Sequence, residues 1–169
     1  MRSPGRRSQP GDARTITGFE LARAGHTFGV ATKTDFTEHE WKALQGGVTG
    51  AGLWVASVDR GFSDTFKEAS ALAHHLRDAH GTSDSALVRD IAGGSHRPFG
   101  MTASPAEMEQ ATTDALREAL AALEAKSAQD VPAYKRLVLD VAESVANAAK
   151  GVSAIENEAL ARIRAALAS

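Results

Sequence analysis

The chain contains no cysteine, which excludes disulfide staples, thiol catalysis and any zinc or iron–sulfur centre held by thiolates. Aromatic residues are scarce, at 5% of a chain that is 43% hydrophobic. Alanine is abundant instead, a balance that disfavours a sheet of aromatic and β-branched side chains and favours helices packed through small ones. Long apolar runs are missing too. The most apolar window, Gly46 to Val58, falls short of the ~20 residues needed to cross a bilayer. Arg6-Arg7 opens no twin-arginine signal, because no apolar stretch of adequate length follows it, and a Sec leader is rejected on the same ground. A cytoplasmic protein fits these absences.

Charge of one sign is missing locally rather than globally. The net charge is −2 over 169 residues, yet residues 1–34 carry six basic and two acidic side chains, giving +4. The rest carries 13 basic and 19 acidic residues, giving −6. Residues 1–34 therefore read as a flexible basic N-terminal arm and 35–169 as a helical domain. Within the arm, Pro4, Pro10 and four arginines make residues 1–14 the segment expected to be disordered. The simplest reading of the arm is a solubilising leader, with nucleic-acid or acidic-lipid contact the less favoured alternative.

What is present is helical periodicity. Thr37 and Glu40 have capping-box spacing, flanked by Phe36 and Trp41 as a hydrophobic staple. Trp41, Leu44, Val48, Ala51, Val55 and Val58 then recur at steps of three and four. Gly46, Gly47, Gly50 and Gly52 lie inside this helix, each costing roughly 1 kcal/mol relative to alanine unless a neighbouring helix approaches closely. A second helix is expected over 64–80, with Phe66, Ala69, Ala73 and Leu76 inward and Gly81 closing it. A short third helix follows a Ser83 or Asp84 cap, and a fourth opens on Ser104-Pro105-Ala106-Glu107. The fifth carries Tyr134, Leu137, Val141 and Val145; the sixth is capped by Ser153 with Glu156. No segment alternates with period two. The expected fold is all-α, a six-helix bundle whose long first and fifth helices share a core.

Enzyme motifs fail one by one. His39-Glu40 begins the zincin pattern, but Ala43 stands where the second zinc ligand belongs. The glycine-rich stretch 46–52 lacks the Gly-Lys-Ser/Thr of a phosphate loop, and Ser95-His96 lacks nucleophile-elbow spacing. His74, His75 and His80 read as solvated or, for His80, as a helix C-terminal cation. No catalytic activity is expected.

One pattern occurs twice. Gly61-Phe62-Ser63 precedes Glu68 and Gly151-Val152-Ser153 precedes Glu158, so both read Gly-apolar-Ser-x4-Glu, a glycine helix stop followed by a serine cap. The chain thus reads as two pseudo-repeated helix-turn-helix units. At the first turn, Asp59 opposes the dipole of the helix it ends, while Asp64 and Glu68 sit one turn apart on the next. Three oxygen donors there could hold Ca²⁺, Mg²⁺ or Mn²⁺ with waters completing the shell. The plainer alternative pairs Asp59 with Arg60 or Lys67 and leaves Asp64 and Glu68 as helix-start acids.

These turns carry a resemblance. Val55-Ala56-Ser57-Val58-Asp59-Arg60-Gly61-Phe62-Ser63 and the stretch from Val145 to Glu156 are similar to the repeated helix-turn-helix of TerB-type tellurite-resistance proteins. In that family a small-residue helix ends in Ala-Asp-Gly, and apolar-Ser-x-x-Glu opens the next. The resemblance covers about residues 40–80 and 134–168. The first copy has Asp59 with Phe66 in place of the family's glutamate; the second has Glu156 with Ala149 in place of the aspartate. The resemblance implies a non-catalytic cytoplasmic module that binds a partner or a divalent cation in stress response, with Asp59, Asp64, Glu68 and Glu156 as the candidate ligands. The alternative is a metal-free interaction or self-associating bundle, in which the glycine-and-alanine face of the first helix docks another helix. A protein partner or a second copy is expected in either case; a membrane span is not, and nucleic acid is not favoured.

Overall fold

A computed structural model describes residues 31–58, 65–94, 104–148 and 152–168, with side chains in the second segment from Ser70 onward. Six helices make up the body, and no strand occurs among the described residues: α1 (Glu38–Val58), α2 (Thr65–Thr82), α3 (Ala86–Gly93), α4 (Pro105–Lys126), α5 (Val131–Ala148) and α6 (Ala154–Ala168). The all-α bundle expected from the periodicity is the fold.

The caps lie where local sequence puts them. Thr37 N–H donates to Glu40 Oε2 at 2.6 Å, and Glu40 N–H donates to Thr37 Oγ1 at 3.2 Å. Phe36 and Trp41 complete the staple, their rings 6.2 Å apart and tilted by 52°. Ser104 with Glu107 and Ser153 with Glu156 form the same reciprocal boxes at α4 and α6. Structure ahead of Asp35 also belongs to the body: Ala31 is buried, and Lys33–Asp35 form a 3-10 turn that leads into α1.

Three local expectations on α2 and α3 need correcting. Gly81 does not stop α2, which runs on to Thr82. Ala73 is exposed, and Leu72 with Leu76 faces the core. The cap of α3 is Ser85, not Ser83 or Asp84; its hydroxyl accepts from Val88 N–H at 3.1 Å while donating to Asp130 Oδ1 at 2.8 Å. A tertiary partner on the 3-10 turn before α5 thus holds Ser85 as the cap in place of the two residues that local sequence suggests.

α1 is the axis of the bundle, packed chiefly by α4 and α5. Tyr134 Oη donates to the Leu44 carbonyl at 2.9 Å, and a Cβ on Gly52 would lie 3.2 Å from Val141 Cγ1. α1 and α5 therefore run parallel. α4 runs antiparallel to α1, since Lys126 pairs with Glu40 at 2.5 Å and Leu116 lies against Gly47. α2 packs mainly on α5, and α6 packs on α1, α4 and α5. The pattern Gly-apolar-Ser-x4-Glu spans two turns of which 59–64 and 149–151 lie outside the described residues, so only the helices beside each turn are described.

The glycines of α1 explain this close packing. A Cβ on Gly47 would lie 2.5 Å from Tyr134 Oη and 2.9 Å from Leu116 Cδ2; one on Gly52 would lie 3.0 Å from Leu72 Cδ1. Both positions are filled by the chain's own helices. The small-residue face expected to dock a partner helix is core: Gly47, Gly50, Ala51 and Gly52 are all buried. The loss of helix propensity is offset by contacts that any larger side chain would prevent.

One ion pair closes the start of the bundle. Glu40 accepts from Lys126 at 2.5 Å as well as from Thr37 N–H, and Lys126 also stands 5.6 Å over the Phe36 ring. The Lys126 hydrogen bond first, then the Thr37 amide, lowers the Glu40 carboxyl from an ordinary 4.5 to about 2. A folded-state value below the unfolded one stabilises above the ordinary carboxylate range. That contribution is lost as pH falls from about 4.5 toward about 2. Urea midpoints measured down this range should therefore decline less steeply in Glu40→Gln than in the parent; parallel declines would show that the pair does not couple to folding.

Candidate functional site

Of the four proposed metal ligands, the structure describes the side chain of one. Asp59 and Asp64 lie outside the described residues, and Glu68 is placed only as part of α2. Glu156 is fully buried in the first turn of α6. Its Oε2 accepts from Ser153 N–H at 2.6 Å, but its Oε1 has no hydrogen-bond partner. A cap carboxylate is ordinarily half in water; this one is fully enclosed, on a helix that packs against α1, α4 and α5. The capping pattern was legible in the sequence. The burial was not, since it depends on how α6 packs against the other helices. Among the described residues no group of three or more histidine, aspartate or glutamate side chains converges as a metal site would require.

The histidines divide by position. His74 is exposed and faces Asp78 at 2.8 Å, one helical turn on. His80 Nδ1 lies 2.9 Å from the Arg89 carbonyl, so that contact, in which the ring nitrogen donates, joins the end of α2 to α3. His39 meets Glu118 at 2.7 Å across the α1–α4 seam. His75 is half-buried on the edge of a groove.

That groove is the feature sequence reasoning missed. It encloses about 300 Å³ between the C-terminal half of α2, the start of α3 and the N-terminal half of α5. Ala79, Val88, Ala133 and Leu137 form its apolar floor; Asp78, Asp84 and Asp140 stand around it with one cation, Arg136. Ser85 on its wall is tied to Asp130, which also accepts from Ser127 Oγ at 2.5 Å, so the α3 side is held in place. Arg89 Nη1 donates to the Ser83 carbonyl at 2.5 Å and fixes the short connection from α2 to α3. Arg136 and Asp140 lie one turn apart on α5 yet form no ion pair among the described residues. Counting Arg136 against the three aspartates, the formal charge of these four residues is 1 − 3 = −2. Its residues come from positions far apart in sequence, and each of the polar ones alone reads as ordinary surface. Only the polar edges of α2 and α5 hinted at it.

Compared with known proteins, the chain matches no protein-family model, no curated protein and no solved structure. Among the described residues no helix is long and apolar enough to cross a membrane.

Proposed function

We propose that the chain is a non-catalytic cytoplasmic helical module, similar to the TerB-type domains it resembles, that binds a divalent cation or a protein partner in a stress-response setting. The non-catalytic part rests on the sequence, where each enzyme motif lacks an essential residue. The cation part rests on one observation: Glu156 is fully buried with Oε1 unpartnered. A carboxylate oxygen removed from water with no donor opposite it is costly. A hard cation supplies what is missing, and Asp59, Asp64 and Glu68 are the oxygen donors proposed to share it.

Thermal melts of the full chain in Ca²⁺, Mg²⁺ and Mn²⁺ test this. A cation that binds only the folded state stabilises it by about 2.7 kcal/mol at 100 times its dissociation constant. Glu156→Gln should remove that increment while keeping the cap, because the amide oxygen can still accept from Ser153 N–H. Without metal the variant should melt no lower than the parent. If millimolar concentrations of all three ions leave the parent melt unmoved, the cation reading is wrong. The metal-free interaction bundle then stands, and the groove between α2, α3 and α5 is the observation that favours it.

A further inference from the structure

We propose that the groove between α2, α3 and α5 is the docking site of the chain's own basic N-terminal segment, residues 1–30. Charge complementarity is the first argument. Residues 1–30 carry Arg2, Arg6, Arg7, Arg14 and Arg23 against Asp12 and Glu20, which is 5 − 2 = +3. The groove carries Asp78, Asp84 and Asp140 against Arg136. Asp84 and Asp140 have no ion-pair partner among the described residues, so each is available to a guanidinium.

The apolar pattern agrees. Ile16, Phe19 and Leu21 lie between Arg14 and Arg23, and the groove floor is apolar. A surface with an apolar floor and charged rims suits a peptide that carries both kinds of side chain.

Position and reach are the third argument. The described chain begins at Ala31, just before α1, and the start of α1 lies beside the start of α5, where Tyr134 Oη meets the Leu44 carbonyl at 2.9 Å. Ala133 and Arg136, at that same start of α5, line the groove. Thirty residues can extend up to about 100 Å, several times the distance along the bundle. Tethering also raises the effective concentration to about millimolar, so contacts too weak for free association suffice.

The absence of cysteine makes the test clean, because Ala13→Cys gives a single labelling site in the full chain. A nitroxide at position 13 should broaden the backbone amide signals of Ala79, Ser83, Val88 and Leu137 at low salt and leave those of Arg117 and Arg162 sharp. The broadening should fade by at least half in the Asp84→Asn, Asp140→Asn double variant. It should also fade at ~1 M salt, where the screening length falls to about 3 Å. Sharp groove amides in the labelled parent would overturn the proposal, as would broadening spread evenly over the bundle or unchanged in the double variant. Equal broadening of a nitroxide-free chain mixed with a nitroxide-bearing one would assign the groove to a second copy and overturn it equally. None of these readouts depends on a divalent cation, so the result is independent of the metal test.

Discussion

Tyr134→Ala should destabilise the protein by about 3–5 kcal/mol, the range for emptying a buried aromatic site. Tyr134 is fully buried, and burial pushes its phenol well above the ordinary tyrosine range, so the hydroxyl stays a donor at every working pH. Two losses then coincide: the ring that fills the junction of α1, α4 and α5, and the hydrogen bond to the Leu44 carbonyl. Urea denaturation measures the cost; a loss below about 1 kcal/mol would show that the parallel α1–α5 packing has been misassigned. Gly47 supplies an internal control. Gly47→Ala should gain about 1 kcal/mol from helix propensity, but overpacking costs about 1–3 kcal/mol. The single variant should therefore be destabilised. In a Tyr134→Phe background the oxygen 2.5 Å from the new methyl is gone, so the same change should cost less, the remainder coming from Leu116 Cδ2 at 2.9 Å. An unchanged cost in both backgrounds would place the conflict elsewhere.

Leu116→Ala and Leu137→Ala should both fall within the roughly 2–5 kcal/mol range for leucine cavities, in a defined order. Leu116 is fully enclosed against Gly47, whereas Leu137 is 4% exposed and lines the groove. A cavity at 116 has no route to solvent, and the helices around it cannot close without moving α1. One at 137 can open to the groove and admit water. Leu116→Ala should therefore cost more than Leu137→Ala, by about 1 kcal/mol or more, as read from urea midpoints at a constant slope. The reverse order would mean that α5 rather than α1 is the rigid centre of the bundle.

The sequence by itself determined the class of fold, the capped starts of α1, α4 and α6, and most of the core. Capping boxes at Thr37, Ser104 and Ser153 are local: the donor and acceptor lie three residues apart, so the chain specifies them without any partner. The apolar stripes of α1 and α5 are equally local, and Trp41, Leu44, Val48, Val55, Tyr134, Leu137, Val141 and Val145 are all buried. Where the cap depended on a distant side chain, as with Ser85 and Asp130, local reasoning chose the wrong residue. Only the tertiary structure decided which faces meet. It turned the glycine face of α1 inward, because Tyr134, Leu116 and Leu72 fill the space that a Cβ would take. It buried Glu156 and left one oxygen without a partner, which no spacing of residues reveals. It also brought Asp84 of the α2–α3 connection beside Arg136 and Asp140 of α5 to line one groove. Periodicity fixes which side of a helix is apolar, but the pairing of helices depends on the summed packing of all of them, and sites that lie between helices follow from that sum.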